Sequence, residues 1–283
     1  MQNGFCKALL LAACALLGQA HADGIEAAAE RFSAHYHPAS AAQTKVAVLV
    51  LGGSEGGVPE RLAAPIIQAG FPVLALPYFK APGLPAELEK IPLEYFDEAT
   101  RWLRQQPDID PERLIVVGWS KGAELALLLA SRDPRIERVV AIAPSSVVWA
   151  GILQDWTKTP GSSWTAAGKE LTHVPFRPSG PVEGLLDLYT QSLANRDDAG
   201  AASIPLERIR ADVVLLSGAE DEIWPSSQMA DTICESMNRT RPQACRHHDY
   251  PGVDHLLGYR FLDAGDPMHA DFVAGLGGAG GGG

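Results

Sequence analysis

The chain has 283 residues, 46% hydrophobic and 20% charged, which supports a sizeable core and excludes disordered, collagen-like and disulfide-stapled miniature chains. Lys and Arg number 23 against 34 Asp and Glu, and the net charge of −11 argues against a nucleic-acid or anionic-membrane partner.

The amino-terminal residues carry the pattern of an export signal. Lys7 precedes an uninterrupted apolar run, Ala8 to Gly18, and Ala20-His21-Ala22 then offers the small residues a signal peptidase reads. Residues 1–22 are therefore expected to be removed, giving an exported, periplasmic or secreted chain that starts near Asp23. The run is about eleven residues, short of the roughly twenty that a bilayer span needs, so no stable membrane span is expected. Leu11-Ala12-Ala13-Cys14 resembles a lipobox, but more apolar sequence follows Cys14 where a lipoprotein has a polar tether, and ordinary cleavage is preferred. Export would remove Cys6 and Cys14, and the remaining even pair, Cys234 and Cys245, reads as a disulfide in an oxidising compartment. No CxxC or His-rich spacing suggests a metal site, and no organic cofactor is implied.

After an extension over residues 23–44, strands and helices alternate. Val46 to Leu51 is a continuous apolar run, as expected of a strand buried on both faces. Gly52 to Gly57 breaks it, and Pro59 opens a helix to about Gln68. A strand over Phe71–Leu76 follows, then a Pro-rich loop and a helix over Leu93–Arg104, whose Phe96, Ala99 and Leu103 recur at helical spacing. Next come strand Leu114–Val117, helix Lys121–Arg132 and strand Val139–Ala143. Residues 145–205 show no clear strands, carry Trp149, Trp156 and Trp164, and are expected to form a cap over a site. Beyond them lie strand Val213–Leu216, a helix from Pro225 to about Met237 and an edge strand over Arg246–Tyr250. The domain is expected to span residues 45–272, with a flexible Gly-rich tail over 273–283. The βαβα order implies a mostly parallel sheet with helices on both faces.

Two serines match G-x-S-x-G, the strand-to-helix turn that lifts a nucleophile above such a sheet. Ser120, in Gly118-Trp119-Ser120-Lys121-Gly122, has a strand directly before it and strong helix formers directly after it. Ser54, in Gly52-Gly53-Ser54-Glu55-Gly56, is followed by glycines and Pro59, so no helix starts at the next residue. Ser120 is therefore the expected nucleophile, and the early glycine loop the second oxyanion element: the backbone N–H of Lys121 with that of Gly53 or Ser54. The orienting acid is expected after strand Val213–Leu216, where Asp221 is favoured over Glu220 and Glu222. Of the later histidines, His247 and His248 fall on the edge strand and His269 beyond the ordered pattern, whereas His255 follows a strand end and turn able to return it to Ser120.

Four runs carry a family resemblance: Leu51-Gly52-Gly53-Ser54-Glu55-Gly56-Gly57, Ile91-Pro92-Leu93-Glu94-Tyr95-Phe96, Gly118 to Glu124, and Tyr250-Pro251-Gly252-Val253-Asp254-His255-Leu256. Over about Lys45 to Leu257 the chain resembles the catalytic domain of the acyl-CoA thioesterase and bile acid-CoA:amino acid N-acyltransferase family. The resemblance implies an α/β-hydrolase fold, a triad of Ser120, Asp221 and His255, and a small-molecule acyl thioester substrate. It also implies hydrolysis, because the family's amino-acid-conjugating members carry cysteine at the nucleophile position. Where the family has a further helix after the histidine, this chain runs into glycine. The expected function is a serine hydrolase of acyl thioesters; the alternatives are an exported carboxylesterase or peptidase, or a catalytically idle ligand-binding homologue.

Overall fold

A computed structural model describes residues 32–39, 45–107, 109–197 and 200–277. The expected export signal, most of the extension and the last six glycine-rich positions lie outside the described residues.

Seven strands form the central sheet: β1 (His35–His37), β2 (Ala47–Leu51), β3 (Val73–Ala75), β5 (Leu114–Trp119), β6 (Ile136–Ile142), β9 (Asp212–Gly218) and β10 (Cys245–Tyr250). Their order is β1-β3-β2-β5-β6-β9-β10. All neighbours pair in parallel except β1, which belongs to the extension and runs antiparallel to β3. The chain steps outward from β2 to β3, then returns to place β5 on the other side of β2, with Leu51 opposite Gly118. That reversal opens a crevice at the carboxyl ends of β2 and β5, the place where open α/β sheets bind ligands.

The apolar runs are continuous because both faces of the sheet are covered. Ala47, Leu49 and Leu51 point into one core, and Val48 and Val50 into the other. The first face is covered by helices α2 (Leu93–Arg104), α3 (Lys121–Ala130) and α5 (Ser226–Thr240), through residues such as Phe96, Leu125 and Ile233. The second face is covered by α1 (Glu60–Gln68), a 3-10 helix (Leu257–Leu262) and α6 (Pro267–Gly275), through Leu62, Phe261 and Phe272. Among the described residues no helix is long and apolar enough to cross a membrane.

Two expectations are corrected. A closing helix, α6, follows His255 where the chain is expected to run into glycine, so His269 lies on a helix and its Nδ1 sits 3.0 Å from the Phe261 carbonyl. Its start is well specified: the Asp266 side chain accepts the Met268 N–H at 2.9 Å, Pro267 occupies the first turn, and Met268 and Phe272 are buried. The stretch 145–205 is also more regular than expected. It holds the hairpin β7 (Trp164–Ala166) and β8 (Lys169–Glu170) and the helix α4 (Leu185–Ala194). The hairpin pairs with β4, the two residues Ile91–Pro92, in a separate three-stranded sheet.

Candidate active site

Ser120 stands at the turn between β5 and α3 with φ 55° and ψ −116°, a left-handed, costly conformation for a residue with a side chain. The flanking glycines make the turn possible. A Cβ on Gly118 would lie 2.1 Å from the Gly122 carbonyl oxygen, and one on Gly122 would lie 2.3 Å from the Leu51 carbonyl oxygen. Strand and helix therefore touch through backbone, and the amino end of α3 is pressed against the end of β2.

His255 follows β10, and its Nε2 lies 2.9 Å from Ser120 Oγ. Its Nδ1 lies 2.8 Å from Oδ2 of Asp221, which follows β9. Asp221 is held in turn: Oδ1 accepts the backbone N–H groups of Ile223 and Trp224 at 2.9 and 3.1 Å, and Oδ2 accepts the Ser226 hydroxyl. Asp221 and His255 are 5% and 4% exposed, so their contact is shielded from water, and the Trp224 ring stands edge-on to the imidazole at 5.4 Å. The structure thus joins Ser120, His255 and Asp221 in one hydrogen-bonded chain, across the ends of three parallel strands.

The rival residues have other partners. Glu220 accepts the Gly252 N–H and Glu222 the His255 backbone N–H, each at 3.2 Å. His247 heads a similar-looking chain, with Nε2 2.7 Å from Ser217 Oγ and Nδ1 2.8 Å from Asp231 Oδ1. Ser217, however, is wholly buried within β9 and donates to Asp249, so no substrate can reach it. His248 stays on the edge strand, 3.6 Å from Asp271. Ser54 lies in the loop after β2 and lines the cleft over Ser120.

The oxyanion expectation needs one correction. The Gly53 N–H is engaged by Glu55 Oε1 at 3.0 Å, which leaves Ser54 as the donor candidate of that loop. Gly53 contributes closeness instead, since a Cβ there would lie 3.2 Å from the Ser120 Cβ. The Lys121 N–H is in the first turn of α3, where helix geometry supplies no internal acceptor. Tyr78, which the sequence pattern did not single out, braces the same loop by donating to the Gly52 carbonyl at 2.6 Å. Burial, reinforced by the carboxylates of Glu55 and Glu124, pushes its hydroxyl well above the usual tyrosine range and keeps it a donor.

Above Ser120 lies a cleft of about 620 Å³ with mostly apolar walls. One wall comes from residues 151–160 with Phe176, Leu188 and Tyr189 of the long insertion, the other from Ile223, Trp224 and Leu256. The three insertion tryptophans divide in role. Trp149 and Trp164 are fully buried, whereas Trp156 is 73% exposed at the rim. Trp164 Nε1 donates to Glu124 Oε1 at 2.6 Å, tying the hairpin to the helix that starts at Ser120. No group of three or more metal-ligating side chains with suitable geometry occurs among the described residues.

The family described as BAAT / Acyl-CoA thioester hydrolase C terminal matches residues 91–262. The chain belongs to this family. Curated relatives of this BAAT-type domain include mouse acyl-coenzyme A amino acid N-acyltransferase 1, 30% identical over 74% of this chain and 48% of the relative. Human acyl-coenzyme A thioesterase 1 is 29% identical over 72% of this chain and 47% of the relative. The chain therefore spans about half the length of the curated relatives it matches. Among solved structures, a Pyrococcus furiosus esterase superposes with TM-score 0.52 at 13% identity, covering 87% of this chain and 94% of that one. An Agrobacterium tumefaciens protein assigned to the α/β hydrolases has TM-score 0.51 at 14% identity, covering 86% and 87%. Together with the sheet order, these likenesses give the BAAT-type domain the α/β-hydrolase fold.

Proposed function

We propose that this chain is a serine hydrolase that cleaves acyl thioesters through an acyl-enzyme. The observation that carries the reading is the hydrogen-bonded chain Ser120–His255–Asp221 at the floor of an apolar cleft. His255 takes the Ser120 proton as Oγ attacks the thioester carbonyl, and Asp221 holds the imidazole in the required tautomer. The Lys121 and Ser54 N–H groups receive the developing oxyanion. A thiolate is a good leaving group, so two backbone donors suffice without strong protonation of sulfur. Water, activated by the same histidine, then releases the acid. The relatives named as thioesterases support the choice of substrate class. Serine at position 120 favours water over an amino acid as acceptor.

The reading places the enzyme outside the cytosol, with residues 1–22 removed as an export signal. The stretch 145–205 acts as the cap that receives the acyl chain. The deciding experiment is fluorophosphonate labelling together with thioester hydrolysis. Wild type is expected to be labelled at Ser120 and to hydrolyse thioesters, and Ser120→Ala to lose both while keeping its fold. Equal and complete loss in Ser54→Ala would reverse the assignment of the two serines, and turnover that survives Ser120→Ala would remove the reading.

A further inference from the structure

Apart from His255 and the buried Tyr189, the ionisable side chains lining the cleft are Lys121, Asp155, Lys158 and Glu222. Lys121 is neutralised from below, its ammonium 2.6 Å from Glu124 and its side chain 1% exposed. Lys158, on the rim, has its ammonium 3.7 Å from the Asp155 carboxylate. Glu222 is exposed at the mouth beside His255 and has no ion-pair partner among the described residues. The lining therefore carries a single uncompensated charge, and it is negative. Lys80, beside the oxyanion loop but outside the lining, donates to the Ser54 carbonyl at 3.3 Å and shares that loop with the Glu55 carboxylate. The whole chain adds a net charge of −11 to this field.

Coenzyme A carries a phosphomonoester and a diphosphate, groups that proteins hold with arginine forks, lysines or helix amino ends. The amino end of α3 is directed at the Ser120 turn, where the oxyanion forms, and both cations of the lining already face a carboxylate, Lys121 that of Glu124 and Lys158 that of Asp155. Beside the Asp155–Lys158 pair, the rim exposes the apolar side chains of Trp156, Leu185 and Leu256.

We propose that the leaving group this site accepts is an uncharged thiol or alcohol, so that its substrates are neutral acyl thioesters and esters and not acyl-coenzyme A. The proposal rests on the serine-hydrolase reading of the same site and narrows it. The reaction balances as hydrolysis: the carbonyl–sulfur or carbonyl–oxygen bond breaks, water supplies the hydroxyl of the acid, and the leaving group departs with a proton from His255.

The test compares one acyl chain carried on coenzyme A and on N-acetylcysteamine, a neutral thiol that presents the same thioester. The N-acetylcysteamine ester is expected to show at least a ten-fold higher kcat/KM, and the coenzyme A ester to gain several-fold on raising salt as repulsion is screened. Asp155→Lys is expected to narrow the gap several-fold. A coenzyme A ester that is preferred, and whose kcat/KM falls with salt, would overturn the proposal while leaving the hydrolase reading intact; equal, salt-independent values would overturn it too. Failure to cleave either ester, with Ser120 unlabelled by a fluorophosphonate, would instead defeat the hydrolase reading and this proposal with it.

Discussion

The Lys121 ammonium lies 2.6 Å from the Glu124 carboxylate one helical turn along α3, and the two side chains are 1% and 0% exposed. Burial pulls Lys121 below and pushes Glu124 above their ordinary values, while the pair's mutual attraction opposes both movements. Such a pair is costly to break, because one charge is left without a partner in a dry interior. Glu124→Leu is therefore expected to destabilise the fold by about 3–5 kcal/mol, and Lys121→Met in the same chain to restore only part of that loss, because Trp164 Nε1 and the Trp149 N–H stay without their acceptor. Urea unfolding of the single and double variants checks it.

Asp221→Asn keeps the size of the side chain but offers an amide where His255 Nδ1 needs an acceptor. The expected result is a fall in kcat of about 10⁴-fold with the melting temperature nearly unchanged. Ser226→Ala removes one of the hydrogen bonds that hold Asp221 and should cost far less, leaving Asp221 with the Ile223 and Trp224 N–H groups. Steady-state kinetics on a single thioester separates the two variants.

Gly122→Ala would drive a methyl group to 2.3 Å from the Leu51 carbonyl oxygen and 2.4 Å from that of Gly52, backbone atoms rather than the end of a flexible side chain. The expected cost is at least the upper end of the 1–3 kcal/mol range for overpacking. Activity should be lost with it, because the same contact holds the oxyanion loop against Ser120. Gly53→Ala presses hardest on the Glu55 carboxylate and more gently on the Ser120 Cβ and the Trp119 carbonyl oxygen, so it should lower kcat with a smaller shift of the unfolding midpoint than Gly122→Ala.

Cys234 on α5 and Cys245 at the start of β10 form a disulfide across 11 positions of sequence. Closing a loop of that length is worth about 2–3 kcal/mol through the unfolded chain. Cys234→Ser is expected to lower stability by that amount and leave kcat unchanged, since the bridge is on the outer strand. Two alkylatable thiols in the unreduced protein, read by mass spectrometry, would contradict the bridge.

Much of this architecture is legible in the sequence because both faces of the sheet are buried. Val46 to Leu51 and Leu114 to Val117 read as strands for that reason alone, and helix α2 declares itself through Phe96, Ala99 and Leu103. The turn at Ser120 is legible because only glycine tolerates the approach at positions 118 and 122. The hairpin β7–β8 is not, since strands of three and two residues show no periodicity and pair with only Ile91 and Pro92. Helix α6 is hidden by the glycines after it, although Asp266-Pro267 is a sound start signal. The sequence leaves Gly53 and Ser54 as equal candidates for the second oxyanion donor, because the pull of Glu55 on the Gly53 N–H is a matter of loop shape rather than residue type.

The Glu124 carboxylate accepts from Trp164 Nε1 at 2.6 Å and from the Trp149 backbone N–H at 3.3 Å, both in the stretch that overhangs the cleft. Swinging that stretch away as one rigid flap would strip a buried anion of two of its donors at once. Traffic to Ser120 must therefore pass without such a swing. The outer loop around Trp156 does not share those anchors: residues 155–158 close on themselves through the Asp155–Thr157 turn, and a longer tie runs from the Gln154 N–H to Glu87 Oε1 at 3.0 Å. The cleft is thus a doorway whose lintel is tied to Glu124, and the jamb formed by the Trp156 loop is the part that can yield without breaking that tie.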